Sequence, residues 1–409
     1  MVSARPASRP AGPPSRVVLL DPSLFTLPFD LHLARALAEL GAEVGLVGRP
    51  LREGERLVAE GFRFLPLFYR WSEPGPPRGG PLRRLAKALE HPLGYSRLRS
   101  WLERGPPAVL HLQWALLPGL DRLAFARLAR RHLPILTVHD AGLQLHDARS
   151  LLGPFGARLQ TLGRDALLRR MAGFVCHSER ARSDLLARGI AAERILLLPH
   201  PPLKPLAAPT AAPAADDRFT FLLFGTLKPY KGVDVLVEAG LRLARSRRDF
   251  LIRIAGQPFF DLAPLRRRIA AAGAESCFAF ELGYLPEERL AALLQQAGAV
   301  LFPYRKSEGS GALALAASYG KPLLASRVGV FAEPPIADHV ALAPPEDAEA
   351  LTALLARLLD DPAWRARLAA ACRRLHRALG DWRDYARACL AFYLECMQST
   401  RKLCCGSTR

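Results

Sequence analysis

Long apolar runs are missing from this 409-residue chain. The longest, such as Phe219 to Phe224 and Ala299 to Pro303, fall far short of the roughly 20 residues a membrane-spanning helix needs, so no spanning helix is expected. Met1 to Arg16 mixes Arg, Ser and Pro and leads into only four apolar residues, Val17 to Leu20. That is too short for a signal-peptide core, and the expectation is a cytoplasmic protein. Cysteine is sparse: seven residues, at 176, 277, 372, 389, 396, 404 and 405, show neither a C-x-x-C pair nor the density of a disulfide scaffold. They read as reduced thiols, with no metal cluster among them. Aromatics at 8% and charged residues at 23% are ordinary for a globular protein and exclude a disordered or collagen-like chain.

Acidic residues are also in deficit, 38 against 57 basic ones, which leaves a net charge of +19. Such an excess favours anionic partners: a membrane surface, a phosphorylated substrate or nucleic acid. The basic residues are mostly Arg spread along helices among Ala and Leu, a pattern that fits coding bias as well as a binding patch. No recognition helix and no stacking aromatics on a sheet point to nucleic acid, so none is expected as a partner.

The length suggests two domains of about 200 residues each. Short β-rich runs alternate with helical patterns throughout, which predicts an α/β fold of parallel βαβ units. In the first half the candidate strands are Val17 to Asp21, Val44 to Val47, Val109 to Gln113, Ile135 to His139, Gly173 to His177 and Ile195 to Pro199. The segment PPLKPLAAPTAAPAADD, residues 201–217, has no apolar periodicity and reads as a linker. The expected layout is a tail over 1–15, a first domain over 16–200 and a second over 218–380. A last helix over 381–400, crossing back onto the first domain, and a tail over 401–409 complete it. Parallel sheets of this kind bind ligands at the carboxyl ends of their strands, so two facing domains would frame a cleft.

Two segments of the second half carry chemistry. LFPYRKSEGSGALALAASYGKPLLAS, residues 301–326, reads strand, Gly-rich loop, helix, turn and strand. Its glycines, Gly309 and Gly311, flank Ser310 before the helix, where backbone N–H groups and the helix dipole suit a diphosphate. FGTLKPYKGVD, residues 224–234, sets Lys228 and Lys231 at a helix mouth in a chain with few lysines. An ammonium there can hold a leaving phosphate by stabilising the charge that develops on it. A plain βα turn and a solvated basic loop are the competing readings.

These residues resemble the GT-B glycosyltransferases of the retaining family 4, or group 1, type. The marks are GTLKPYKGVDVLVEA, GYLPEERLAALLQQAGAVLFPY and SEGSGALALAASYGKPLLASRVG followed by Glu333. The resemblance is clearest from Phe219 to Glu333 and continues in order from Val17 to His200. It implies two facing Rossmann-like domains and transfer of a sugar from a nucleotide-diphosphate donor, with retention and without a metal or other cofactor. It further implies that Lys231 neutralises the diphosphate and that Glu308 contacts the transferred sugar. Gly309, Ser310, Gly311 and Ala312 would offer backbone donors, Gly283, Tyr284 and Leu285 would border the base, and His139 would approach the sugar from the first domain. Glu308 as a nucleophile and front-side attack both stay open.

The chain departs from the family pattern at three places. Ala316 stands where a second glutamate often holds the ribose, and Thr226 stands where an Arg often precedes the lysine, with Lys228 as a plausible substitute. DPSLFTLPFDLHLARAL, residues 21–37, replaces the usual Gly-Gly loop. Asp30 reads first as a helix cap and second as a base for the acceptor. His111, His177 and His200 end strands without a clear role, and His146 with Asp147 repeats the His139–Asp140 pair. The acceptor expected is a lipid-linked or polysaccharide glycan, with peripheral contact to an anionic membrane. A noncatalytic sugar-nucleotide-binding relative, acting as a partner of another transferase, is the alternative, and a basic membrane scaffold is a further one.

Overall fold

A computed structural model describes residues 16–52, 55, 57, 61–73, 81–139, 163–203, 218–307 and 309–406. The chain divides into two compact units. The first takes 1–176, 181–198 and 382–409, and the second takes 177–180 and 199–381.

The first unit holds a seven-stranded parallel sheet. Its strands are β1 (Arg16–Leu20), β2 (Glu43–Gly48), β3 (Phe62–Pro66), β4 (Val109–Leu112), β5 (Leu133–Val138), β6 (Gly173–Cys176) and β7 (Ile195–Leu197), in the order β3-β2-β1-β4-β5-β6-β7. Val17 to Leu20 are all fully buried, as a central strand covered on both faces must be. In register, His111 of β4 lies between Leu19 of β1 and Ile135 of β5. β3 lies outside the strands read from the sequence, because FRFLP puts an Arg among its apolar residues.

Helices α1 (Leu27–Glu39), α2 (Pro81–Leu102), α3 (Pro118–Leu128) and α4 (Glu179–Ala187) connect these strands. α1 begins with Thr26 at the N-cap position and Pro28 in its first turn, where a missing N–H costs nothing. Asp30 lies inside this helix and donates its backbone N–H to Thr26 O at 3.0 Å. The cap reading of Asp30 is therefore corrected: the chain turns in at Thr26, one turn earlier.

The second unit carries β8 (Phe219–Phe224), β9 (Phe250–Gly256), β10 (Phe278–Leu282), β11 (Ala299–Phe302), β12 (Leu323–Ser326) and β13 (Ala341–Ala343), all parallel in the order β10-β9-β8-β11-β12-β13. The helices α5 (Val233–Leu243), α6 (Ala263–Ala271), α7 (Glu287–Gln296), α8 (Gly311–Ala317), α9 (Ala348–Asp360) and α10 (Pro362–Ala378) follow in chain order. α9 and α10 are capped by Asp347, which accepts from Ala350 N at 2.8 Å, and Asp361, which accepts from Trp364 N at 2.7 Å. Such caps satisfy first-turn N–H groups that have no partner within the helix.

The last helix, α11 (Trp382–Gly406), belongs to the first unit and packs along α1. Trp382 and Tyr385 meet Phe29 edge to face at ring distances of 4.9 and 5.8 Å. Tyr393 is fully buried and its hydroxyl hydrogen-bonds His111 Nδ1 at 2.7 Å. The helix continues through Gly406, past the Thr400 boundary expected from the sequence. Cys176, Cys277, Cys372, Cys389 and Cys396 are buried and take part in no disulfide.

Candidate functional site

In the second unit the turn after β8 is built around glycines. Gly225 has φ +96° and Gly232 φ +64°, left-handed values that favour a residue without Cβ. A Cβ on Gly232 would lie 1.9 Å from Pro303 O, so the turn closes tightly against the chain leaving β11. Arg305 fastens the turn from the other side. Its guanidinium grips Asp234 through two bonds of 3.0 and 2.8 Å and donates to Pro229 O at 2.7 Å. Sequence reading passed over both residues. The signal was an Arg three positions past β11 and an Asp in the first turn of α5.

This clamp fixes Lys231. The side chain is only 5% exposed, Nζ donates to Phe224 O at 3.2 Å and lies 5.2 Å from the centre of the Tyr304 ring. No carboxylate among the described residues forms an ion pair with it. Burial, with a smaller push from Lys228, lowers its pKa to about 8. A desolvated ammonium held by one carbonyl and a ring face has a large electrostatic incentive to accept an anion. Lys228 Nζ stands 6.0 Å from the ring of Phe259, which is exposed.

The Gly-rich loop lies after β11. Glu308 falls outside the described residues. Ser310 is the N-cap of α8, its Oγ accepting from Leu313 N at 3.1 Å, while Gly309, Gly311 and Ala312 surround that cap. Gly329, at φ +47°, approaches so closely that a Cβ would meet Ser307 O at 1.6 Å. Ser307 is buried and its Oγ has no hydrogen-bond partner among the described residues. Ala316 is fully buried and packs in the core with Leu313 and Leu293, a place that admits no charged side chain. Gly283, at φ +129°, donates its N–H to Gly256 O at 3.1 Å. It leads β10 into Tyr284, which is exposed, and Leu285, which packs on the core.

In the first unit, His139 follows β5. Its ring stacks on Trp114 at 5.1 Å, meets Phe29 edge-on at 5.1 Å, and Nε2 hydrogen-bonds Gln113 Oε1 at 3.1 Å. Trp114 Nε1 donates to Thr26 Oγ1 at 3.1 Å, and that hydroxyl in turn donates to Asp21 Oδ2 at 3.3 Å. Asp21, at the end of β1, also accepts from Ser23 N and Thr26 N at 3.2 and 3.0 Å. Asp21 and Asp30 are both fully buried. Burial, and then the neighbouring Asp21 charge, hold the Asp30 carboxyl well above the usual carboxylate range. The segment that replaces a Gly-Gly loop is thus a structured carboxyl pair, which the sequence alone did not reveal. His111 is occupied on both ring nitrogens, by Tyr393 and by Thr137 Oγ1 at 2.7 Å, and serves packing. Asp140, His146 and Asp147 lie outside the described residues. Among the described residues, no three His, Cys, Asp or Glu side chains gather in a way that could hold a metal ion.

Family models match both halves of the chain: a glycosyl transferase 4-like domain over residues 31–201 and glycosyl transferases group 1 over residues 209–375. The 2-deoxystreptamine glucosyltransferase of Streptomyces kanamyceticus is 29% identical over 81% of this chain and 89% of that protein. The GDP-mannose:glycolipid 4-beta-D-mannosyltransferase of Xanthomonas campestris is 34% identical over 25% of this chain and 29% of that protein. Among solved structures, the sucrose-phosphate synthase of Thermosynechococcus elongatus aligns over 96% of this chain and 100% of that chain, with a TM-score of 0.65 at 20% identity.

Proposed function

We propose that this chain, which belongs to the group 1 glycosyltransferases, transfers a sugar from a nucleotide-diphosphate donor to a lipid-linked or polysaccharide glycan, with retention of configuration and without a metal ion. The observation that carries the reading is Lys231, a buried cation with no carboxylate among the described residues to balance it. A donor diphosphate would supply the missing countercharge. As the glycosidic bond breaks, negative charge grows on the leaving phosphate, and a preorganised ammonium stabilises that growth more than it stabilises the ground state. Its lowered pKa still leaves it mostly protonated at neutral pH. Lys228, Gly309, Ser310, Gly311 and Ala312 would hold the diphosphate, and Gly283, Tyr284 and Leu285 would border the base. Glu308 would face the sugar.

In the first unit His139 is the candidate for contact with the donor sugar, its ring fixed by Trp114, Phe29 and Gln113. The names of the relatives, a glucosyltransferase and a mannosyltransferase acting on glycolipid, support hexosyl transfer and a glycolipid acceptor. The net charge of +19 suits acceptors held at an anionic membrane. The test is release of nucleoside diphosphate from a panel of UDP-, GDP- and ADP-sugars in the presence of membrane lipid extract. One donor class is expected to turn over, with the rate falling at least about a hundredfold in Lys231→Ala, the loss typical of one removed electrostatic stabiliser. Equal release by wild type and Lys231→Ala would refute the role given to the lysine.

A further inference from the structure

The amino edge of the first unit's sheet holds a cavity of about 350 Å³ whose wall carries Arg99, Glu103, Arg127, Arg130, Arg131 and His132. It forms where α2 and α3 end and β4 and β5 begin. Arg99 lies in the last turn of α2 and Arg127 in that of α3. Arg130 and Arg131 follow in the turn toward β5, their backbone N–H groups bonding back to Arg127 O and Leu128 O at 3.3 and 3.2 Å. The six residues of β5 separate His132 from His139, a span of roughly 20 Å at about 3.3 Å per strand residue. The cavity is therefore distinct from the carboxyl edge that carries Asp21, Trp114 and His139.

The wall is cationic beyond what its helices require. Its four guanidiniums meet one carboxylate, Glu103, which Arg99 engages at 2.7 Å. Cations at helix C-termini answer the helix dipole, about half a negative charge at each end. Glu103 and the two helix ends together offset about two of the four positive charges, which leaves about +2. Arg131 is tied to Gly105 O at 2.8 Å, whereas the guanidiniums of Arg127 and Arg130 meet no hydrogen-bond or ion-pair partner among the described residues. His132 adds an independent observation. It is 7% exposed, and its Nδ1 accepts the N–H of Ala108 at 3.2 Å. Burial, then the charges of Arg131 and Arg16, lowers its pKa to about 4, so at neutral pH the ring is uncharged and carries its one proton on Nε2. That N–H meets no acceptor among the described residues. A buried donor left in this way gains from an acceptor supplied by a ligand.

We propose that this cavity is a second anion site, one that binds the phosphate monoester of a phosphorylated small molecule. A monoester carries about −1.5 to −2 charge at pH 7, which matches the surplus of the wall. Arg127 and Arg130 offer guanidinium forks to its oxygens, and His132 Nε2–H adds a neutral donor. The volume lies at the lower end of small-molecule sites, about 300–1,000 Å³, so it takes in the organic part of the ligand as well as the phosphate. A bilayer phosphate suits the site less, because the wall is concave and its one apolar side chain, Leu128, is buried. The site goes beyond the transferase reading and does not rest on it, since Lys231 belongs to the other unit.

The test is titration calorimetry of the full chain with glycerol 3-phosphate, ribose 5-phosphate and AMP, beside ribose and inorganic phosphate. Wild type is compared with Arg127→Gln/Arg130→Gln, with Lys231→Ala, and with Arg267→Gln/Arg374→Gln, which removes the same charge from exposed positions on α6 and α10. Arg127 and Arg130 are exposed as well, so the fold should tolerate their loss. At least one monoester is expected to bind wild type and Lys231→Ala alike, more tightly than ribose or inorganic phosphate. Arg127→Gln/Arg130→Gln should bind it about a hundredfold more weakly, roughly tenfold for each charged partner removed, while Arg267→Gln/Arg374→Gln should leave it unchanged. The Nε2–H resonance of His132 should shift when the monoester is added. Equal binding by wild type and Arg127→Gln/Arg130→Gln, an equal loss in Arg267→Gln/Arg374→Gln, or loss in Lys231→Ala alone would each overturn the proposal. So would binding only to phosphatidylglycerol vesicles, or no binding of any monoester by wild type. The nucleotide titration of Lys231→Ala reports on the transferase reading separately.

Discussion

Asp30 and Lys231 are both buried ionisable groups, and burial moves them in opposite directions because it penalises the charged form of each. For Asp30 the folded state binds its proton more tightly than the unfolded state does. Its contribution to stability is therefore present below the ordinary carboxylate range and is lost as pH rises through the raised value. Asp30→Asn keeps the shape and cannot ionise. Thermal melts should show the variant more stable than wild type at about pH 8, with the gain shrinking toward about pH 4. A constant difference would mean that Asp30 does not hold the proton. For Lys231 the sign is reversed: its pKa is lowered to about 8, so the charged form is the costly one below that value. Nucleotide diphosphate binding, which needs the ammonium, should weaken as pH rises above about 8, and titration calorimetry at several pH values checks this. Lys231→Ala should weaken binding by about 2 kcal/mol or more, roughly thirtyfold, for loss of a charged hydrogen-bonding partner.

At the scale of elements, the turn between β8 and α5 and the seam between α1 and α11 carry the most testable packing. Gly232→Ala forces a Cβ into Pro303 O in a left-handed conformation. Destabilisation of about 1–3 kcal/mol is expected, with nucleotide binding lost alongside, read by melts and calorimetry. Tyr393→Phe removes the hydroxyl on His111 and should cost about 1 kcal/mol, with a larger loss if the imidazole is left unsatisfied. Most strands were legible because parallel strands buried on both faces read as continuous apolar runs; β4 and β6 begin at Val109 and Gly173, where they were expected. β3 and β13 were not. FRFLP breaks its run with Arg63, and Ala341–Ala343 is too short for any pattern, so both owe their state to the neighbouring strand. Lys231 was legible as a lysine pair at a strand end, while its clamp, Arg305 to Asp234, joins residues 71 positions apart that no local pattern links. The Asp21–Asp30 pair escaped notice for a related reason: a capping role and a buried carboxyl look alike in sequence, and only burial tells them apart.

For the whole molecule, the surplus of positive charge is where sequence and structure say different things. Dispersed among helices, the arginines read as compositional. In the folded first unit Arg52 and Arg83 gather on the buried Glu73, and in the second Arg305 holds the turn that carries Lys231, a cation with no ion-pair partner among the described residues. The two Rossmann-like sheets and the matches to both family models make the chain a group 1 glycosyltransferase. The claim at the centre of the account is that the Lys231 turn binds a nucleotide diphosphate. A thermal-shift titration with UDP, GDP and ADP, run on wild type and Lys231→Ala, tests it most directly. At about 100 times its dissociation constant the correct nucleotide should add about 2.7 kcal/mol of stability, and Lys231→Ala should lose most of that gain. Equal stabilisation of both proteins, or no stabilisation of wild type by any nucleotide at about millimolar concentration, would contradict it.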